Sequence, residues 1–399
     1  MSGSERKPGR LGPYVEGYRD RLLELGYTPV SVSTYSLVAL GQLGRWMASE
    51  DLDVQQLDSR AIKAFLATRH TRDYRPVATA SVAPLLDYLR REGVVPPEPA
   101  RALTPLDALI DDYRQWLVVE RGLAPATVHQ CLMLARRFLA ARTSSEDEVG
   151  VKGLTGADVT AFLLGECARL KLASVGCYAG RLRSLLRFLH VRGFTDLPLA
   201  GCVPSVAKWR DAGIPEVLPR PDVQRLLESC ERSSLSGARD FAILVLLARL
   251  GLRTVEVSRL ELDDLHWRAG EIEVDGKGHR RDRLPLPSDV GEALAGYLSL
   301  RDRRDVRRVF LTLHAPIRPI EPPGVRTVVR EACMRVGLQP VGAHRLRHAL
   351  ASELLREGAS LIDISQVLRH KDLATTAIYA KVDLAALRQV AQPWPGVAR

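Results

Sequence analysis

The sequence predicts a mainly α-helical protein carrying one small antiparallel sheet. Three observations lead there. Apolar residues recur at helical spacing through most of the 399 residues; Leu106, Leu109, Ile110, Tyr113, Trp116 and Leu117 make one such stripe. Strand-like alternation with Gly turns is confined to one short stretch, residues 262–287. The first half repeats itself: residues 26–35 match 122–131, 54–66 match 151–163, and 85–93 match 185–193, at offsets of 96, 97 and 100.

In chain order, the repeat gives two small modules of four or five helices, over about 12–95 and 104–200. Pro29 and Pro125 each stand just inside a helix start, where a missing N–H costs little. VVPPEPARALTP (94–105) and the Pro-rich stretch 200–221 read as linkers. Beyond them, PDVQRLLESC (221–230) begins a helix capped near its start. ARDFAILVLLARLG (238–251) is a mostly apolar helix that Gly251 terminates. LDDLHW, a turn at 268–270, EIEVDG and RDRLPLP form the sheet. Helices resume at 288–301, 322–336, 345–356, 361–369, 373–380 and 383–391. The expected domains are 1–100, 101–205 and 216–399.

Net charge is +10, which points to a polyanionic partner. The first hundred residues carry a net charge of +1, residues 101–215 +4 and the remainder +5. The second and third regions are therefore better suited to grip a polyanion. Of the 57 basic residues, 8 are Lys and 49 are Arg, whose planar fork can bind two phosphate oxygens at once. The six cysteines form no C-x-x-C pair and read as reduced thiols of a cytoplasmic protein. The polar start MSGSERKPGR has no apolar core of a signal peptide, and no apolar run approaches the ~20 residues of a membrane span. No membrane partner is expected.

The last third carries an ordered set of candidate residues within GLRTVEV (251–257), DGKGHRRDRLPLP (275–287), AHRLRH (343–348) and VLRHKDLATTAIY (367–379). Cutting a phosphodiester needs positive donors, a proton source and a nucleophile. Arg253 and Arg347 can hold the non-bridging oxygens, and His344 shares a helical face with Arg347. Lys277, between two glycines in a hairpin loop, can protonate a leaving oxygen. His370 lies nine residues before Tyr379, the candidate nucleophile. Glu256 can brace an Arg or His by a charged hydrogen bond, and His348 packs in support. His344 and His348 stand at i, i+4, a spacing that also suits a metal, but Arg345 replaces the Glu of H-E-x-x-H and Arg347 would repel a cation. No metal or cofactor is expected.

These motifs resemble the catalytic domain of the tyrosine recombinases, the phage integrase family, over residues 216–391. The family pattern is an Arg in G-L-R-x-x-E, a hairpin Lys, H-x-x-R, a further His or Trp, and then Tyr. Here these positions are Arg253, Lys277, His344, Arg347, His370 and Tyr379, with Glu256 in support. Residues 104–200 resemble the family's core-binding domain, which makes the fold a recombinase catalytic domain preceded by two SAM-like helical modules. Two departures stand out: Arg345 where the family often has Asp, and Arg369 where it often has Gly in L-G-H.

The resemblance implies a site-specific recombinase that cuts and rejoins duplex DNA through a 3′-phosphotyrosyl intermediate and a Holliday junction, without ATP or metal. It implies inverted core sites and a tetrameric synapse, with a second recombinase or a DNA-bending protein as further candidates. The cell compartment would be the bacterial cytoplasm, at the nucleoid. An integrase or transposase of a mobile element leads. A Xer-like resolvase, a type IB topoisomerase and a non-catalytic DNA-binding regulator are the alternatives. The amphipathic segment 383–391 would dock on a neighbouring subunit or on its own domain. The first module would bind extra DNA, extend the clamp or contact another protein.

Overall fold

The computed structural model describes residues 9–69, 79–97, 104–140, 143–145, 148–170, 172–205, 217–276, 281–302, 305–370, 376 and 378–379. Contacts divide the chain into two compact units, Met1–Glu98 with Gly213–Arg399, and Pro99–Ala212.

The first unit opens with α1 (Val15–Glu24), α2 (Pro29–Ser31), α3 (Leu37–Ser49), α4 (Ser59–Arg69) and α5 (Thr79–Arg91). A π turn at Val32–Ser36 joins α2 to α3. Thr28 caps α2 by accepting from the Ser31 N–H at 3.2 Å, with Pro29 at the first helical position. Their inner faces bury Tyr18, Leu22, Leu43, Phe65 and Leu89 around one core. Gly26, at φ +86°, ends α1, and a Cβ there would lie 2.4 Å from Ile317 Cγ1. The Ile317 N–H donates to the Leu25 carbonyl at 2.8 Å, so this module is tied to the C-terminal part of the same unit.

The second unit holds α6 (Pro105–Gln115), α7 (Pro125–Ala140), α8 (Gly156–Cys167) and α9 (Leu172–Val191). The stripe from Leu109 to Leu117 is buried against Phe188 and Leu189. Buried Glu166 is satisfied by Arg137 Nη2 and the Tyr178 hydroxyl, both at 2.6 Å. A two-stranded ribbon, β1 (Thr143–Ser145) with β2 (Glu148–Val149), joins α7 to α8. It corrects the expectation of a single sheet: segments of two or three residues are too short to display alternation.

The repeat has a structural counterpart. Helices α4 and α8 start 97 positions apart, at Ser59 and Gly156. Helices α5 and α9 end 100 positions apart, at Arg91 and Val191. Gly26 and Gly122, then Gly93 and Gly193, all take positive φ just after a helical segment, where a residue without Cβ is least strained.

The C-terminal part of the first unit contains α10 (Arg220–Glu228), α11 (Leu235–Arg249), α12 (Thr254–Arg259), α13 (Ser288–Leu300), α14 (Pro322–Arg335), α15 (His344–Arg356) and α16 (Leu361–Val367). Strands β3 (Leu265–His266), β4 (Glu271–Asp275) and β5 (Arg281–Pro285) form an antiparallel sheet in sequence order. Helix α11, mostly apolar, buries residues on nearly every face, including the paired Arg239 and Asp240. It begins at Leu235, three residues before the expected start, because the Ser234 hydroxyl caps it by accepting from the Gly237 N–H at 3.1 Å. Helix α10 has no side-chain cap, contrary to expectation: Pro219 stands at its N-cap and Pro221 fixes its first turn. Helices α13 to α16 lie within two residues of the expected segments. The segment 383–391, most of 373–380 and the linker core 206–216 lie outside the described residues.

Candidate active site

Gly251 sets up the site. It takes φ +56° after α11, and a Cβ there would come within 2.8 Å of Leu368 Cδ2 and 3.1 Å of Leu350 Cδ2. The close approach brings the end of α11 against α15 and the end of α16. Arg253 then stands at the N-cap of α12 in extended conformation. Its backbone N–H donates to Glu256 Oε2 at 2.9 Å, and its Nη1 to Glu256 Oε1 at 2.6 Å. The Arg253 side chain keeps 34% of its surface exposed, whereas Glu256 keeps 2%.

The same carboxylate takes a second arginine: Arg369 Nη2 donates to Glu256 Oε2 at 2.8 Å. Burial works to raise the Glu256 carboxyl, and the combined pull of Arg369 and Arg253 overcomes it, leaving it below the usual carboxylate range. Arg369 follows α16 at φ +55°, the left-handed region where glycine is the common helix terminator. The His370 N–H reaches back to the Ser365 carbonyl at 3.0 Å, closing that turn. A non-glycine residue there costs on the order of 1–2 kcal/mol. The Nε and Nη1 of Arg369 are buried without a hydrogen-bond partner among the described residues.

Helix α15 brings His344, Arg347 and His348 inward. Arg347 is 1% exposed. Its Nη1 donates to the Gly251 carbonyl and its Nη2 to the Leu368 carbonyl. Burial, with Arg253 and Arg369 close by, lowers its pKa to about 10, so it stays charged at neutral pH. Burial lowers the pKa of all three site histidines: His344 falls below its usual value, and His348 and His370 fall to about 4, with Arg347 adding to each effect. They are neutral imidazoles at pH 7.

Tyr379 is 1% exposed. Its hydroxyl lies 2.7 Å from His348 Nδ1, and burial pushes its pKa up to about 12 against the opposing pull of Arg347. The phenol therefore keeps its proton and shares a hydrogen bond with a neutral His348. The rings of Tyr379 and His370 are stacked at 6.5 Å between centroids. His370 Nδ1 sits 2.7 Å from Thr376 Oγ1. With that hydroxyl donating, Nε2 carries the imidazole proton and remains available to an acceptor.

Known proteins resemble this chain. Residues 216–385 match the model of the phage integrase family. The putative integrase/recombinase y4rA of Sinorhizobium fredii is 39% identical over 98% of this chain and 96% of its own length. Tyrosine recombinase XerD of Listeria monocytogenes is 31% identical over 71% of this chain and 97% of its own. The chain belongs to the phage integrase family of tyrosine recombinases. Among solved structures, a lambda integrase dimer bound to a COC′ core site superposes with a TM-score of 0.54 at 15% identity, over 85% of this chain and 89% of that one. XerH bound to difH DNA superposes at 0.53 and 19%, over 72% and 96%. Both are likenesses of fold.

Within this recombinase, Arg253, Glu256, His344, Arg347, His348, His370 and Tyr379 converge around the ends of α11 and α16. Lys277 lies outside the described residues. Sequence reasoning did not assign Thr376, although its place in Thr-Thr-x-x-Tyr was visible. It marked Arg369 only as a departure from glycine, so the grip of Arg369 on Glu256 is new. It also missed the use of the Gly251 and Leu368 carbonyls as acceptors, because backbone groups carry no sequence signature. No helix among the described residues is long and apolar enough to cross a membrane.

Proposed function

We propose that this protein is a site-specific DNA recombinase of a mobile element, an integrase or transposase, working through a 3′-phosphotyrosyl intermediate. The observation that carries the reading is the meeting of Tyr379 with His348, His370 and Arg347 in one cluster beside the Arg253–Glu256 pair. The Tyr379 hydroxyl passes its proton to the imidazole of His348, 2.7 Å away, as its oxygen attacks the scissile phosphorus, forming the Tyr–O–P bond while the P–O5′ bond breaks. Arg253, Arg347 and the free Nε2–H of His370 hold the non-bridging oxygens as charge builds on them. Lys277 gives its proton to the departing 5′ oxygen, and His344 assists proton transfer. A 5′-hydroxyl of the partner duplex then attacks the phosphotyrosine and reverses the step. The bond energy stays in the covalent link, so neither ATP nor a metal enters the balance.

Strand exchange of this kind joins four protomers at a Holliday junction. Similarity to recombinases solved on a core site, and to a lambda integrase tetramer bound to a Holliday junction, supports that assembly. The full-length likeness to a putative integrase/recombinase supports the mobile-element role over a minimal resolvase, because the XerD match leaves much of this chain uncovered.

The test is covalent trapping on nicked suicide duplexes bearing the ends of the protein's own genetic element, in chelator and without nucleotide. Wild type should give a slow protein–DNA band on denaturing gels that Tyr379→Phe lacks. Specific binding without any covalent band would favour a DNA-binding regulator.

A further inference from the structure

Among the described residues, three in succession, Leu368, Arg369 and His370, link the arginines of the site. The Leu368 carbonyl accepts from Arg347. The Arg369 guanidinium binds Glu256 at 2.8 Å, and Glu256 binds Arg253 at 2.6 Å. His370 leans on Thr376. The left-handed backbone at Arg369 is what lets one short turn do this, and the turn takes an arginine where a glycine would sit without strain.

Arg369 uses its donors differently from two other buried arginines, Arg301 and Arg347, which give their Nη groups to backbone carbonyls. Buried Arg301 gives its Nη groups to the carbonyls of Val306, Arg308 and Val309. Arg369, 7% exposed, spends one N–H on a carboxylate and leaves Nε and Nη1 without a partner among the described residues. Charge gives the reason. One glutamate facing one arginine makes a neutral pair, which weakens the pull of Arg253 on a phosphate. A second arginine on the same carboxylate gives Glu256 two guanidinium partners, so that Arg253 does not balance its charge alone, and removes the freedom of Glu256 to rotate; Asp282 also acts on Arg369.

We infer that Arg369 is a positioning residue for strand cleavage: it holds Glu256 so that Arg253 meets the scissile phosphate in one orientation and with its charge undiminished. The inference rests on the phosphotyrosyl reading above. Arg369 acts through Glu256 and Arg253 and makes no contact with DNA.

The experiment measures single-turnover covalent-complex formation at saturating suicide duplex for wild type, Arg369→Gly, Arg369→Gln and Arg369→Lys. Duplex affinity, its salt dependence and thermal midpoint are measured alongside. Glycine suits the local backbone, so Arg369→Gly should keep its midpoint. Its cleavage rate should fall about 10- to 100-fold, the range found when a partner that orients a site group is lost, with affinity and salt slope unchanged. Arg369→Gln should fall similarly and Arg369→Lys should recover part of the rate. Wild-type rates in both the glycine and glutamine variants would overturn the inference. So would an intact rate with weaker binding and a salt slope reduced by about one, which would make Arg369 a direct phosphate contact. If Arg369→Gly does not fold, Arg369→Gln decides between the same outcomes. Failure of wild type itself to form the covalent complex would count against the phosphotyrosyl reading instead.

Discussion

The two sides of the site are built by different physics. On one side, Arg253, Glu256 and Arg369 form a charged cluster whose inner members are 2% and 7% exposed. On the other, Tyr379 and His348 form a neutral hydrogen bond at 2.7 Å, with the phenol buried. Buried charges must be paired tightly or they are ruinous, so the arginine side is set before any substrate arrives. A buried neutral phenol needs only one acceptor, so the nucleophile side can exchange that acceptor for another at modest cost. On the phosphotyrosyl reading proposed above, the site pairs a fixed cradle with a tyrosine that a phosphate and its escort of arginines draw out. Arg347 touches both sides, through its hold on the Gly251 and Leu368 carbonyls and its pull on Tyr379.

The comparison can be broken at four places. Glu256→Gln strikes the cradle hardest: two arginines lose the charge between them, and removal of one partner from a buried ion pair costs about 3–5 kcal/mol. Chemical denaturation should show that loss. Arg347→Ala should lower single-turnover cleavage about 10²- to 10³-fold, the usual cost of one transition-state donor, and a quench-flow time course checks it. His348→Phe should disturb only the nucleophile side, leaving the phenol without its acceptor at a cost of about 1–3 kcal/mol. DNA affinity in that variant should stay at the wild-type value.

The pH dependence gives the fourth test. His348 and His370 titrate near 4 in the folded protein, and near 6.5 in an unfolded chain. Between those values the unfolded state binds protons that the native state refuses, so stability falls as pH drops from about 6.5 to about 4. Glu256 adds to the loss further down, because its depressed carboxyl stabilises the fold only while ionised. Thermal midpoints from pH 7.5 to 4.5 should decline, less steeply in His348→Phe. A flat profile would remove the neutral-histidine picture.

Much of this was legible in the sequence, for identifiable reasons. Helical periodicity marked α6 and α11 because burial selects apolar residues at 3.6 spacing, and Gly251 announced the end of α11 because only a residue without Cβ fits there easily. The three-stranded sheet was visible through its alternation and turn. The ribbon of β1 and β2 was not, since so short a pairing leaves no pattern. Arg253, Arg347, His370 and Tyr379 could be read from their local motifs. Their partners could not: the Arg369–Glu256 bond joins residues 113 positions apart, and the Leu368 acceptor is backbone. The link from Ile317 to Leu25, which ties the first module to the C-terminal part of its unit, joins a loop to a helix end and carries no motif.

The central claim is that Tyr379 leaves its histidine and becomes the DNA-linked residue. The measurement that tests it most directly is tandem mass spectrometry of the trapped protein–DNA complex after nuclease and protease digestion. The account predicts a nucleotide attached through a phosphodiester to the Tyr379 oxygen, in a peptide that His348→Phe still yields. Attachment to any other side chain, or trapping that persists in Tyr379→Phe, would contradict it.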